Sequence, residues 1–117
     1  MRTTVTTTPD AAPAVVMNNL GKQFPGSPIA AVEDVSLVIA PGETICIVGA
    51  SGCGKSTVLR MLAGFEEPTW GHLRVAGRDV RRPGPERGVV FQDYGLFPWL
   101  TVAENIAYGP RQARLPR

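Results

Sequence analysis

The passage from residue 44 to residue 64 restricts the fold of this chain more than any other. Residues 44–48 (TICIV) are an unbroken β-branched and apolar run, the pattern of a strand buried on both faces. The run passes directly into a loop with glycines at 49, 52 and 54, a density at which no regular ladder survives. Residues 55–63 then repeat apolar residues at helical spacing. Val58, Leu59 and Leu62 read onto one side, and Gly64 reads as the C-terminal stop. Strand, tight loop and helix form a βα unit, and a doubly buried strand needs neighbours on either side. The expected fold class is therefore α/β. The 117 residues are 44% hydrophobic and 19% charged, which allows a core and argues against wholesale disorder.

The loop and the first helical residues, Gly49-Ala50-Ser51-Gly52-Cys53-Gly54-Lys55-Ser56, match G-x-x-x-x-G-K-[ST]. At ordinary residue usage this match arises by chance in about 0.4% of chains of this length. The strand before it and the helix after it are the context that a P-loop requires. Glycines at 49, 52 and 54 let successive backbone N–H groups turn inward toward one anion. The helix contributes its positive N-terminal end. Lys55 can reach the β- and γ-phosphates, the Ser56 hydroxyl is placed for Mg²⁺, and Thr57 can donate to a phosphate oxygen. The alternative is a glycine-rich structural turn before a helix.

Elsewhere the chain reads as short elements, as expected for 13 glycines and 11 prolines. Residues 1–13 are Thr-rich with little to bury and are expected to form a flexible tail. Residues 14–20 suit a first strand. Val35, Leu37 and Ile39 alternate as in a second. Leu73 and Val75 suit a strand turning at residues 77–79, and residues 88–92 suit another short apolar strand. Thr101 and Glu104 fit a capping box, with the hydroxyl accepting from the Glu amide and the carboxylate returning to the Thr amide. The helix should run toward Tyr108 and stop at Gly109-Pro110. Residues 111–117 form a basic end. Arg74, Arg78, Arg81, Arg82 and Arg87, with Asp79 and Glu86 among them, read as a solvated hairpin face. His72 reads as an exposed strand residue and Cys46 as a small core hydrophobe, while Trp70 shows no chemical role. With 12 Lys+Arg against 10 Asp+Glu, no nucleic-acid partner is expected. No apolar run approaches the ~18–20 residues of a membrane span. Two cysteines make no disulfide scaffold, and the first dozen residues show no secretory pattern.

Three segments together, GASGCGKST, VEDVSLVIAPGE and GVVFQDYGLFPWLTVAENIAYG, resemble the ATP-binding subunit of ABC transporters. The likeness spans residues 14–110, and the PWLTV stretch is most similar to the nitrate, sulfonate, taurine and bicarbonate importers. The resemblance implies a P-loop NTPase: a RecA-like parallel sheet core with an attached antiparallel β-subdomain. ATP and Mg²⁺ are the implied cofactors. Phe24 looks like the aromatic that stacks on adenine, with a hydrophobic anchor beside a Pro-rich turn as the alternative. Gln92 looks like the Q-loop glutamine, whose amide oxygen binds Mg²⁺ or the attacking water. Residues 94–100, with Phe97, Pro98 and Trp99, would face a coupling helix or else form a small cluster over the Q-loop. The implied catalytic residues are Lys55 and Gln92, and the implied metal contacts are Ser56 and Gln92. Gly49, Ala50, Ser51, Gly52, Cys53, Gly54, Lys55, Ser56 and Thr57, with Phe24, would hold the nucleotide. The implied partners are membrane permease subunits, a second ATP-binding subunit in a homodimer and, indirectly, a solute-binding protein. Such a subunit is cytoplasmic and peripheral on the inner face of the cell membrane.

The 117 residues contain no LSGGQ-type signature and no apolar run ending in Asp-Glu of the Walker B kind. They contain no downstream histidine that could serve as a switch; His72 is too early. The expectation is the N-terminal part of such a domain, truncated before those motifs, which couples ATP hydrolysis to uptake of a small solute. A non-hydrolysing nucleotide-binding fragment is the alternative. A GTPase or small-molecule kinase would use the same loop, but no Asn-Lys-x-Asp guanine-reading motif is present.

Overall fold

The computed structural model describes residues 2–5, 12–50, 52, 54–92 and 95–113. Its elements are β1 (Arg2–Val5), β2 (Val15–Lys22), β3 (Val32–Ile39), α1 (Lys55–Ala63), β4 (Trp70–Val75), β5 (Arg78–Asp79) and α2 (Val102–Gln112). They fall into two compact units, Met1–Gly84 and Pro85–Arg117.

In the first unit the strands form one sheet in the order β1-β3-β2-β4-β5. β2 pairs antiparallel with β3 and β4, and β4 with β5. This is the antiparallel β-subdomain that the resemblance implied. Ala76 and Gly77, at φ 51 and φ 78, close the β4–β5 hairpin as a two-residue turn with both centres left-handed, which matches strand twist. β1 lies parallel to β3. Arg2–Val5 had been expected within a flexible tail, and the strand corrects that for these four residues. Thr and Val favour extended backbone, and the outer edge of β3 supplies the hydrogen-bonding partners.

One apolar cluster holds the unit together: Met17, Leu20, Val32, Val35, Leu37, Leu73 and Val80 with Val58 and Met61 of α1. In β3, Val35 and Leu37 keep the expected period of two. In β2 the buried apolar side chains are Met17 and Leu20, three apart, because the ladder slips between them and Asn19 takes φ 49. This bulge inserts an extra residue and turns Leu20 back to the core. α1 spans the expected residues and ends on Gly64 at φ 88, whose N–H closes on Met61 C=O. Its buried residues are Val58, Met61 and Ala63, with Leu62 half-buried and Leu59 exposed. At 100° per residue Leu59 stands a quarter-turn from Val58, whereas 61 and 62 flank it.

The doubly buried strand expected at 44–48 is not formed. Residues 43–50 are irregular, Cys46 is exposed rather than in the core, and Val48 is 90% exposed. Residues 88–92 likewise make no strand, and Val90 is 99% exposed. Both runs have strand propensity, but a strand exists only through its ladder. Among the described residues neither run has one. Parallel pairing in the described structure is confined to β1 and β3.

In the second unit, Thr101 starts α2 as expected. Its Oγ1 accepts from the Glu104 N–H at 3.1 Å. The Glu104 carboxylate accepts from that same hydroxyl at 3.0 Å, where its return to the Thr amide had been expected. One hydroxyl serves both bonds because it donates once and accepts twice. Gly109 and Pro110 do not stop the helix, which runs on to Gln112 with Pro110 inside it. Proline this near the C-terminus forfeits a single bond, and the Ala113 N–H still reaches Gly109 C=O.

Candidate functional site

The first intrahelical bond of α1 runs from the Val58 N–H to Gly54 C=O at 3.0 Å. The N–H groups of Lys55, Ser56 and Thr57 precede it, and no side chain caps the helix. Those donors therefore stand at the positive end of a helix with no protein acceptor assigned to them by a cap. Gly54 forces this arrangement. Its φ is 97, and a Cβ there would lie 2.5 Å from the Ala31 C=O. Only glycine lets the loop press against the start of β3 in that conformation. Gly52 is also left-handed, at φ 82.

Lys55 folds back over the loop. Its Nζ donates to the C=O of Gly49 and, at 3.3 Å, to that of Ala50. The ammonium is thus tied to the carbonyls of the loop that leads into α1. Ser56 is exposed and Thr57 half-buried at the same turn. Uncapped donors, an ammonium and a hydroxyl in the first helical turn fit a polyphosphate with a hard cation. Ser51 and Cys53 lie outside the described residues.

Phe24 lies two residues beyond Lys22, the last residue of β2. It is half-buried, and its C=O accepts from the Ser27 N–H at 3.1 Å. The Lys22 ammonium lies over its ring, 5.3 Å from the centroid. Gln92 is exposed in the second unit. Asp93 and Tyr94 beside it lie outside the described residues. Within this unit Phe97 packs against Trp99 and Tyr108, at centroid distances of 5.4 and 4.6 Å. Trp99 and Leu96 remain largely exposed, an apolar surface at the segment expected to face a partner.

Two residues escaped the sequence analysis. Asn105 straps the 97–101 loop to α2: its Oδ1 accepts from the Phe97 N–H at 2.9 Å, and its Nδ2 reaches the carbonyls of Phe97, Leu100 and Thr101. Trp70 lays its ring over Gly21, where a Cβ would fall 2.0 Å from it, and donates to Glu33 C=O at 3.1 Å. Gly21 opposite a tryptophan was the available signal. For Asn105 there was none. His72, Arg74 and Arg78 are exposed on the hairpin as expected, with Asp79 paired to Arg74 and Arg81. Arg81 and Arg82 are exposed beyond β5, and Arg87 departs from the expected solvated face: it belongs to the second unit, its side chain is only 13% exposed, and it pairs with Glu86 at 3.3 Å.

The ABC transporter family model matches residues 32–116. The chain belongs to the ABC transporter family. Among ABC ATP-binding proteins, the spermidine/putrescine import ATP-binding protein PotA of Acidothermus cellulolyticus is 45% identical over 115 residues, 94% of this chain and 30% of its own length. The nitrate import ATP-binding protein NrtD of Synechococcus elongatus is 47% identical, covering 81% of this chain and 35% of its own length. The bicarbonate transport ATP-binding protein CmpD of the same species is 43% identical, covering 87% and 37%. The ABC fold is shared with the ATP-binding cassette MJ0796, solved as a dimer in a post-hydrolysis state bound to ADP and Pi. That structure matches with a TM-score of 0.74 at 30% identity over 84% of this chain and 47% of that one. The chain thus spans about a third of the length of these curated relatives. Among the described residues no helix is long and apolar enough to cross a membrane.

Proposed function

We propose that this chain carries the nucleotide-binding face of an ABC importer's ATP-binding subunit, with ATP and Mg²⁺ as its ligands. The observation that carries this reading is the uncapped start of α1, with the Lys55 ammonium bonded to the carbonyls of Gly49 and Ala50 in the loop before it. In this reading the N–H groups of residues 54–57 and the Lys55 ammonium hold the β- and γ-phosphates. The Ser56 hydroxyl holds the cation, and Gln92 keeps the Q-loop role that the resemblance implies. Phe24 stacks on the base. Bound Mg²⁺ would spread the negative charge of the γ-phosphate. Ser51 and Cys53 complete the loop by their place in the motif.

The subunit would work as a homodimer beneath permease subunits, peripheral on the inner face of the membrane, and a solute-binding protein would deliver the solute. Nitrate, sulfonate or taurine is the solute class proposed from the PWLTV stretch. Relatives named for spermidine/putrescine import match as well as those named for nitrate and bicarbonate, which supports placing solute choice in other subunits. Equilibrium titration with Mg-ATP, Mg-ADP and AMP tests the core of the reading. Affinity should rise with phosphate number, and equal affinity for all three would overturn it. The second reading, nucleotide binding without turnover, draws on the missing ladder beside residues 44–48 and on the lack of a recognisable Asp-Glu strand end.

A further inference from the structure

We propose that Lys22 is the positioning residue for the nucleobase: its ammonium covers one face of the Phe24 ring and fixes that ring to offer the other. The inference rests on the reading that Phe24 stacks on the base. The Lys22 Nζ lies 5.3 Å from the ring centroid. It donates to Glu67 C=O at 2.8 Å and pairs with Glu66 Oε2 at 3.5 Å. Only 14% of the side chain is exposed, so this cation is held in place by three contacts on two segments. The backbone around the ring is also tied. The Gln23 N–H donates to Thr69 Oγ1 at 3.0 Å, and the Gln23 side chain to Ser27 C=O at 2.9 Å.

A cation on one face of an aromatic ring draws π-density toward itself. The opposite face is left as the stacking surface, and its depleted density suits the electron-rich face of a purine. Glu66 extends the arrangement, because its second oxygen lies 3.9 Å from Arg60 of α1. The base platform and the helix that begins at the phosphate loop therefore share one charged joint.

The test uses the 117-residue chain with Lys22→Met, which keeps the aliphatic stem, Lys22→Arg, which keeps the cation, Phe24→Ala, and the double variant Lys22→Met/Phe24→Ala. Each is titrated with Mg-ATP and with Mg-tripolyphosphate, which has no base. Lys22→Met should weaken ATP about three- to fivefold and leave tripolyphosphate unchanged. Lys22→Arg should restore ATP binding, and Lys22→Met should add nothing once Phe24 is alanine. Equal losses for ATP and tripolyphosphate, or the same loss with and without the Phe24 ring, would assign Lys22 a purely structural role and overturn the proposal. Loss on Phe24→Ala but not on Lys22→Met overturns the positioning role alone. No loss on Phe24→Ala overturns the stacking reading and the inference with it.

Discussion

Lys55 is held by the loop it is proposed to serve, and that sets the size of its effect. A charge-assisted hydrogen bond to phosphate contributes about 1.5–3 kcal/mol, or roughly 10- to 100-fold in affinity. Here the ammonium must first leave the carbonyls of Gly49 and Ala50, so the lower part of that range applies. Lys55→Met should weaken Mg-ATP about 10- to 30-fold and leave AMP, which lacks the contacted phosphates, unchanged; paired titrations read this directly. Gly54 is a residue of a different kind. Alanine there meets both a left-handed backbone and the Ala31 carbonyl 2.5 Å away. Strain alone costs about 1–2 kcal/mol, and the backbone clash adds to it because Ala31 is fixed at the mouth of β3. Gly54→Ala should lower unfolding stability by about 2 kcal/mol or more, seen as a fall in urea midpoint, whereas Gly52→Ala meets no neighbouring atom and should cost only the strain. The motif identified both glycines; only the structure separates their reasons.

The two helices differ in how they are held, and so in how they should fail. α1 is locked by Val58 and Met61 in the core, whereas α2 buries none of its residues. α2 therefore depends on its N-terminal polar contacts and on the packing of Tyr108 against Phe97. Thr101→Val removes the cap and should cost about 1 kcal/mol. Asn105→Leu removes the acceptor for the Phe97 N–H and the donor to three carbonyls, and should cost more, about 2 kcal/mol. Hydrogen exchange at residues 97–105 would show both effects, and a larger change in Thr101→Val would refute the ranking. Local signals explain what was legible at this scale. The limits of α1 were readable because Gly54 and Gly64 bound it, and the start of α2 because a capping box is contiguous in sequence. Asn105 was not, because an asparagine that collects carbonyls from a preceding loop has no spacing rule. The bulge at Asn19 was equally hidden. It is an answer to the packing of Leu20, and the local pattern of Asn18-Asn19 reads only as the end of a strand.

For the whole molecule, a short motif revealed the fold class, and the turn at residues 77–79 marked one hairpin, while the pairing of residues 44–48 could not be read from their composition. Residues 44–48 have the composition of an interior strand, yet no described residue pairs with them; strand propensity does not specify a partner. The same fact bears on turnover. Phosphoryl transfer needs the nucleotide positioned, the γ-phosphate charge stabilised and a water oriented. In the proposed function the uncapped start of α1 and Lys55 would address the first two needs. Residues 44–48 lead straight into the loop, and without a ladder they hold its entry less firmly than a sheet would. The 117 residues contain no apolar run ending in an Asp-Glu pair to orient water and no LSGGQ-type segment. The 117-residue chain should therefore bind Mg-ATP weakly and hydrolyse it far below the ~1–10³ s⁻¹ of ordinary enzymes. Supplying the remaining residues of a longer relative such as the nitrate import ATP-binding protein, of which this chain covers 35%, fused or in trans, should raise the rate. Phosphate release is the measurement, with Lys55→Ala as background. A Lys55-dependent rate of about one per second from the 117 residues alone would show that the water is oriented by groups already present, and Gln92 would be the first to replace.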